Sequence, residues 1–233
     1  MSLLLHENAL TMLGPGAFLG TVTNVKDPVN RNRVQVRIYN VDGATEQNGS
    51  VWARVAAPFA GAKRGAFFIP DLNDEVVLVF LSGDPRFPVI IGSLWNGKDA
   101  APETLGGAGD SVDRWTITGK AGTRIAIVEQ PASSATISLT TPGGLTATLT
   151  DADGGSITLS NSSQTAVTID SSGITLNAPT GKVQISASEV DFTANTINAS
   201  VAMSQFSGLV QCDTHIANTI IAATYTPGAG NIL

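Results

Sequence analysis

The sequence is poor in the residues from which most active sites are built. Its 233 residues hold one cysteine, Cys212, and two histidines, His6 and His215. A lone cysteine excludes an intrachain disulfide framework and a zinc ribbon. Two histidines far apart leave little material for a Ser-His-Asp or Cys-His triad. Charged residues make up 14% and aromatics 6%, and no run approaches the roughly 18 apolar residues of a membrane helix. The opening Met1-Ser2-Leu3-Leu4-Leu5-His6-Glu7-Asn8 lacks the basic flank and long apolar run of a signal peptide. The expectation is a protein made in the cytoplasm and not exported by a secretory signal.

Clustered positive charge is missing as well. Residues 14–97 carry 8 Lys and Arg against 7 Asp and Glu, whereas residues 98–233 carry 5 against 11. A phosphate-binding footprint needs the opposite balance, so nucleic acid is not an expected partner. Glycine, by contrast, is frequent at 24, which suits short strands joined by many turns.

The tract from Trp115 to Val201 shows what the chain does have. Arg124-Ile125-Ala126-Ile127, Ile137-Ser138-Leu139, Ile157-Thr158-Leu159, Val167-Thr168-Ile169, Ile174-Thr175-Leu176 and Val183-Gln184-Ile185 share one pattern. Two apolar side chains flank one small or polar residue, so a strand would carry the apolar pair on one face and the polar group on the other. Glycine-, serine- and proline-bearing turns separate the runs. Towards the end the spacing tightens, with Val183, Val190 and Ile197 leading successive strands. Each strand offers too few apolar groups to close a core. The tract must stack its own layers or be completed by other chains. Nine to ten layers at strand spacing would measure on the order of 45 Å.

Residues 14–97 read as a compact β domain. Strands are expected at 18–25, ended by Asp27-Pro28; at 33–38, with Val34, Val36 and Ile38 inward and Arg33 and Arg37 solvated; and at 50–55. A nearly continuous apolar strand at 75–80 is expected to be buried on both sides, and a last strand spans 88–95. Five strands without helical periodicity indicate a small closed barrel of the OB type.

Here the residues carry a resemblance. Gly20-Thr21-Val22, Asp27-Pro28, Arg33-Val34-Gln35-Val36-Arg37-Ile38 and Trp52-Ala53-Arg54-Val55-Ala56 resemble the opening of the phage baseplate assembly protein V and VgrG spike family. So do Gly65-Ala66-Phe67-Phe68-Ile69-Pro70, Asp74-Glu75-Val76 and, most specifically, the block from Gly83-Asp84-Pro85-Arg86-Phe87-Pro88 to Trp95-Asn96. The ending around Tyr225-Thr226-Pro227-Gly228-Ala229-Gly230-Asn231 is similar to that of baseplate V proteins. The resemblance implies an all-β chain: an N-terminal OB-fold barrel followed by an intertwined trimeric β-helical (prism) needle. The divisions would be an arm at 1–13, the OB-fold domain at 14–97, a linker at 98–114, the needle at 115–201 and an apical cap at 202–233. The arm could be a frayed terminus or an apolar segment that docks on a neighbouring subunit.

As a function the resemblance implies a homotrimeric, membrane-piercing central spike of a contractile tail or injection machine. It would be built into a virion baseplate or an injection-system particle and driven mechanically into a target cell envelope. The linker has no room for the muramidase that some family members insert, and thirteen leading residues cannot supply a hub. A separate trimeric hub protein and a PAAR-type tip protein are therefore the expected partners. No enzyme activity and no cofactor are expected. Some spike tips of the family hold an axial metal through a His-X-His pair; here His215 is the only candidate, because Asp213 stands where the second histidine would be. The other constellations read as ordinary loops. Asp151-Ala152-Asp153-Gly154-Gly155 lacks the rest of a calcium-loop pattern, and Gly106-Gly107-Ala108-Gly109 lacks the flanking features of a phosphate loop. Arg31, Arg33, Arg37 and Arg54 mark a barrel surface whose accompanying Phe and Trp positions look buried, which favours a subunit interface. The competing reading is an OB-fold binding module on a trimeric adhesive stalk, taking glycan or nucleic acid.

Overall fold

The computed structural model describes residues 16–39, 50–106, 111–129 and 134–224. The expected arm, the loop at 40–49 and the closing Tyr225–Asn231 segment lie outside these residues. The chain divides into two compact units, Met1–Val183 and Gln184–Leu233.

The first unit opens with a closed five-stranded barrel. Its strands are β1 (Ala17–Asn24), β2 (Val34–Ile38), β3 (Ser50–Val55), β6 (Glu75–Phe80) and β7 (Pro88–Leu94), hydrogen-bonded in the order β1-β2-β3-β7-β6. Strand β6 pairs back onto β1, and β3 runs parallel to β7, as the OB arrangement requires. A two-residue hairpin, β4 (Ala60–Gly61) and β5 (Arg64–Gly65), projects from the connection after β3. Alternation produces the core: Val22, Val34, Val36, Ile38, Ala53, Val76, Leu78, Phe80 and Ile90 are buried and packed together. Phe18 adds an edge-on contact with Phe80, ring centres 5.4 Å apart.

Two expectations need correction. Strand β6 is not buried on both sides: Val76, Leu78 and Phe80 face the core, while Glu75, Val77 and Val79 are half-buried on the outside. A continuous apolar run cannot reveal which face of a barrel wall is left bare. Arg33 is not solvated either. Its guanidinium pairs with Asp27 at 2.8 Å and lies over the Trp52 ring, 5.7 Å from its centre.

Beyond the barrel comes a seven-stranded antiparallel sheet in strict sequence order. It consists of β8 (Arg114–Thr118), β9 (Arg124–Val128), β10 (Thr136–Thr140), β11 (Thr146–Thr150), β12 (Ser156–Ser160), β13 (Ala166–Asp170) and β14 (Gly173–Asn177). Every strand has five residues. The expected strand at Val183–Ile185 and those led by Val190 and Ile197 do not form within the chain: no ladder is present at these residues. In the second unit, the described residues 184–224 carry neither helix nor ladder, and every one is exposed. Among the described residues no helix is long and apolar enough to cross a membrane.

Candidate assembly interface

Register turns the seven-stranded sheet into rows. Trp115, Ile127, Ile137, Leu149, Ile157, Ile169 and Ile174 stand directly across from one another on successive strands. A second row on the same face runs Ile117, Ile125, Leu139, Ala147, Leu159, Val167 and Leu176. Among the described residues nothing covers these rows. Ile157 is 41% exposed, Leu159 51% and Ile174 73%. A monomer with a bare apolar face of this size departs from the pattern of soluble monomers, whose largest patches are small.

The opposite face is a lattice of hydroxyls. Its middle row is Thr116, Ala126, Ser138, Thr148, Thr158, Thr168 and Thr175. On its flanks Thr136 Oγ1 donates to Thr150 Oγ1 at 3.1 Å, and the hydroxyls of Thr146 and Ser160 lie 2.7 Å apart. Such pairs satisfy each other across the ladder and also accept water. Away from Ala126 the faces are therefore chemically opposite, and there it is the apolar one that gains by being covered.

The sequence suggests that other chains pair the strand edges throughout the tract. From Arg114 to Asn177 the interior edges are instead paired within the chain. Turns of two to a few residues bring each strand back antiparallel, as at Gly144, whose φ of 80° needs a residue without Cβ; a Cβ there would sit 3.1 Å from that of Ser162. What the sheet lacks is a cover for its face. What residues 184–224 lack is any ladder at all. Here too apolar side chains stand bare: Phe192 is 71% exposed, Phe206 76% and Leu209 93%.

The barrel contributes a second surface. Arg31, Arg54, Lys63 and Arg64 line a groove of about 560 Å³ with Phe67, Phe68 and Ile69, and among the described residues no acidic one lines it. Phe67, Phe68 and the nearby Phe59 are exposed, contrary to the expectation that aromatics accompanying the arginines are buried. Of the four arginines singled out in the sequence, Arg31 and Arg54 reach this groove. Arg33 is held by Asp27, and Arg37 lies on the outside of β2.

Asp27 organises the loop that ends in Arg33. Its carboxylate accepts hydrogen bonds from the backbone N–H groups of Val29, Arg31 and Arg33 and from two nitrogens of the Arg33 guanidinium, at 2.8–3.3 Å. The Arg33 guanidinium, aided by those amides, holds the Asp27 carboxyl far below the ordinary carboxylate range against the opposing effect of burial. At the other end of the barrel Asp84 accepts from the backbone and guanidinium of Arg86, which lowers its pKa in the same way. The family-like block from Gly83 to Pro88 is thus a tied turn between β6 and β7.

The remaining candidates stay apart. His215 and Cys212 lie exposed in the second unit, and His6 is outside the described residues. No group of three or more metal-ligating side chains occurs among the described residues. Asp151 and Asp153 belong to a tight turn, with Asp153 at φ 53°.

Residues 18–95 match the profile of the type VI secretion system/phage-baseplate injector OB domain, and residues 136–203 match that of the phage baseplate V C-terminal trimerisation domain. The second match runs from β10 through the bare sheet face into the ladderless stretch. Among curated proteins, the chain is 35% identical over 77 residues to the type VI secretion system spike protein VgrG3 of Vibrio cholerae, which is 33% of this chain and 8% of that protein. It is 38% identical over 61 residues to the type VI secretion system spike protein VgrG1a of Pseudomonas aeruginosa, 26% of this chain and 10% of the relative. A third relative, named actin cross-linking toxin VgrG1, from Vibrio cholerae, is 37% identical over 59 residues, 25% of this chain and 5% of its own length. The matched segments span a tenth or less of these proteins.

Proposed function

Because the chain belongs to the phage baseplate V and VgrG-like family of central spike proteins, we propose that it is the mechanical spike of a contractile injection machine. Three copies place their apolar sheet faces against one another, and the stretch beyond Asn177 finds its ladders in the neighbouring chains. The barrel seats on a separate trimeric hub, a PAAR-type protein closes the far apex, and contraction drives the whole through a cell envelope. The work comes from the sheath, so the chain needs stiffness and no bond chemistry. Paired backbone groups and packed side chains provide it.

The observation that carries this reading is the coincidence of the trimerisation match with the uncovered apolar rows. Covering one half-exposed Ile or Leu stabilises an assembly by roughly 1 kcal/mol. About a dozen per chain then total on the order of 10 kcal/mol, enough to outweigh much of the lost freedom of association.

The test is to replace the parent chain by Ile157→Asp in cells that make the machine. The expected result is that their particles release no cytoplasmic marker from target cells. Marker release at the parental level overturns the proposal. The basic, phenylalanine-bearing groove favours a second reading, a binding module for single-stranded nucleic acid, since cations beside aromatic faces suit that ligand. Fluorescence anisotropy with a labelled oligonucleotide decides it; no binding at micromolar protein removes the second reading.

A further inference from the structure

Between barrel and sheet lies a stretch whose composition reads as a linker, yet its polar groups are committed at both ends. At the barrel end Asn96 donates through Nδ2 to Glu75 Oε2 at 2.6 Å, and its Oδ1 accepts from the N–H groups of Lys98 and Asp99. At the sheet end Glu103 accepts from Arg124 Nε at 2.6 Å and faces Arg114 Nη1 at 3.7 Å. A third tie joins the bodies directly: Lys120, in the turn between β8 and β9, pairs with Asp71 of the barrel.

We infer that residues 96–106 are a strap lying across the first hairpin of the sheet, fixing it to the barrel at one angle, with Glu103 as its fastening and Ala126 as its floor.

The register supplies the argument. Arg114 and Arg124 stand at diagonal corners of the β8–β9 hairpin, on the hydroxyl face, and both converge on Glu103. Between those corners lies Ala126. Every other member of its row carries a hydroxyl, and Ala126 alone is a methyl. It is also fully buried, the one buried hydrophobic among the described residues outside the barrel core. A row open to water has no use for that exception, whereas a row covered by another segment does, because a hydroxyl there would need both space and a partner. Gly106 shows how close the covering is: a Cβ at this position would collide with Asp113 Oδ1 and the Arg114 guanidinium. Asp113 in turn receives Arg114 Nε at 2.8 Å, and its N–H points to the Leu105 carbonyl. The Glu103 carboxyl is held below the usual range, chiefly by Arg124 and further by Arg114.

One tether leaves a hinge free to rotate. Ties at separated places remove that freedom, even though the exposed Lys120–Asp71 pair is weak alone. The joint then transmits axial load without folding. That use rests on the puncturing reading, while the strap itself does not.

Pulsed-EPR distances between spin labels at Lys63→Cys and Ser171→Cys, in a Cys212→Ser background and on a minority of chains, test the strap. The parent should give one narrow distribution. Glu103→Gln with Lys120→Gln should at least double its width with unchanged trimer mass and circular dichroism. Ala126→Thr should broaden it without altering any charge, and Thr168→Ala, in the same row, should leave it as it was. A broad parental distribution overturns the strap, as does an unchanged width in both the charge variant and Ala126→Thr. A narrow distribution in a particle that punctures nothing would keep the strap and remove only its use.

Discussion

Asp27 takes five hydrogen bonds from residues no more than six positions away, and so converts a proline-bearing loop into a fixed approach to β2. In the unfolded chain this carboxyl protonates near the ordinary value; in the folded protein it protonates only at much lower pH. Acid therefore favours unfolding, and this contribution to stability is complete above about pH 4 and fades as pH falls further. Asp27→Asn should lower the thermal midpoint at pH 7 and make the acid limb of the midpoint-against-pH curve shallower. A limb as steep as the parent's would show that Asp84, Asp71 and Glu103, also lowered, govern it. Gly20 is a second fixed point. A Cβ there would lie 2.5 Å from Val36 Cγ1 and 2.6 Å from the Arg37 carbonyl oxygen, so Gly20→Ala should split β1 from β2 and raise amide exchange along both. The sequence shows Asp27-Pro28 as a strand end and nothing more. Its role depends on amides that converge only when the loop closes, and pattern reading along a strand cannot count them.

At the scale of elements, the barrel strands are legible because their inward residues alternate. Leu78→Ala, deep in the core, should cost about 2–5 kcal/mol in a denaturant titration. In the sheet, Ile157 and Thr158 are neighbours on opposite faces. Ile157→Asp should yield monomer by sedimentation, while Thr158→Asp should leave the assembly intact. Equal effects would mean that the apolar rows are not the contact. Strand β11 is less legible than its neighbours because Ala147 takes one of its two apolar positions. The runs led by Val183, Val190 and Ile197 have strand character without strand structure. Sequence pattern records what a segment can pair as, whereas a ladder requires a partner strand, which the proposed trimer would supply from its other chains.

For the whole molecule, the expected mass in solution is three times the 24.0 kDa of the chain, and amides in 184–224 should be protected in that species despite their exposure in the single chain. Rapid exchange throughout this stretch in the trimer would contradict its proposed pairing. The family assignment was legible in short blocks, Gly83-Asp84-Pro85-Arg86-Phe87-Pro88 above all, a turn in which Asp84 is tied to the backbone and guanidinium of Arg86. The strap was not, since glycine, alanine and proline around Glu103 read as slack chain until the arginines of the hairpin close on it. The strand starts at 136, 146, 156 and 166 repeat every ten residues, and each repeat reverses the chain. One added repeat would advance everything downstream by about 5 Å along the stack but make it leave from the opposite side of the sheet; two would restore the side and advance it by about 10 Å. The stack can therefore lengthen or shorten without changing the side from which the downstream chain departs only in twenty-residue steps.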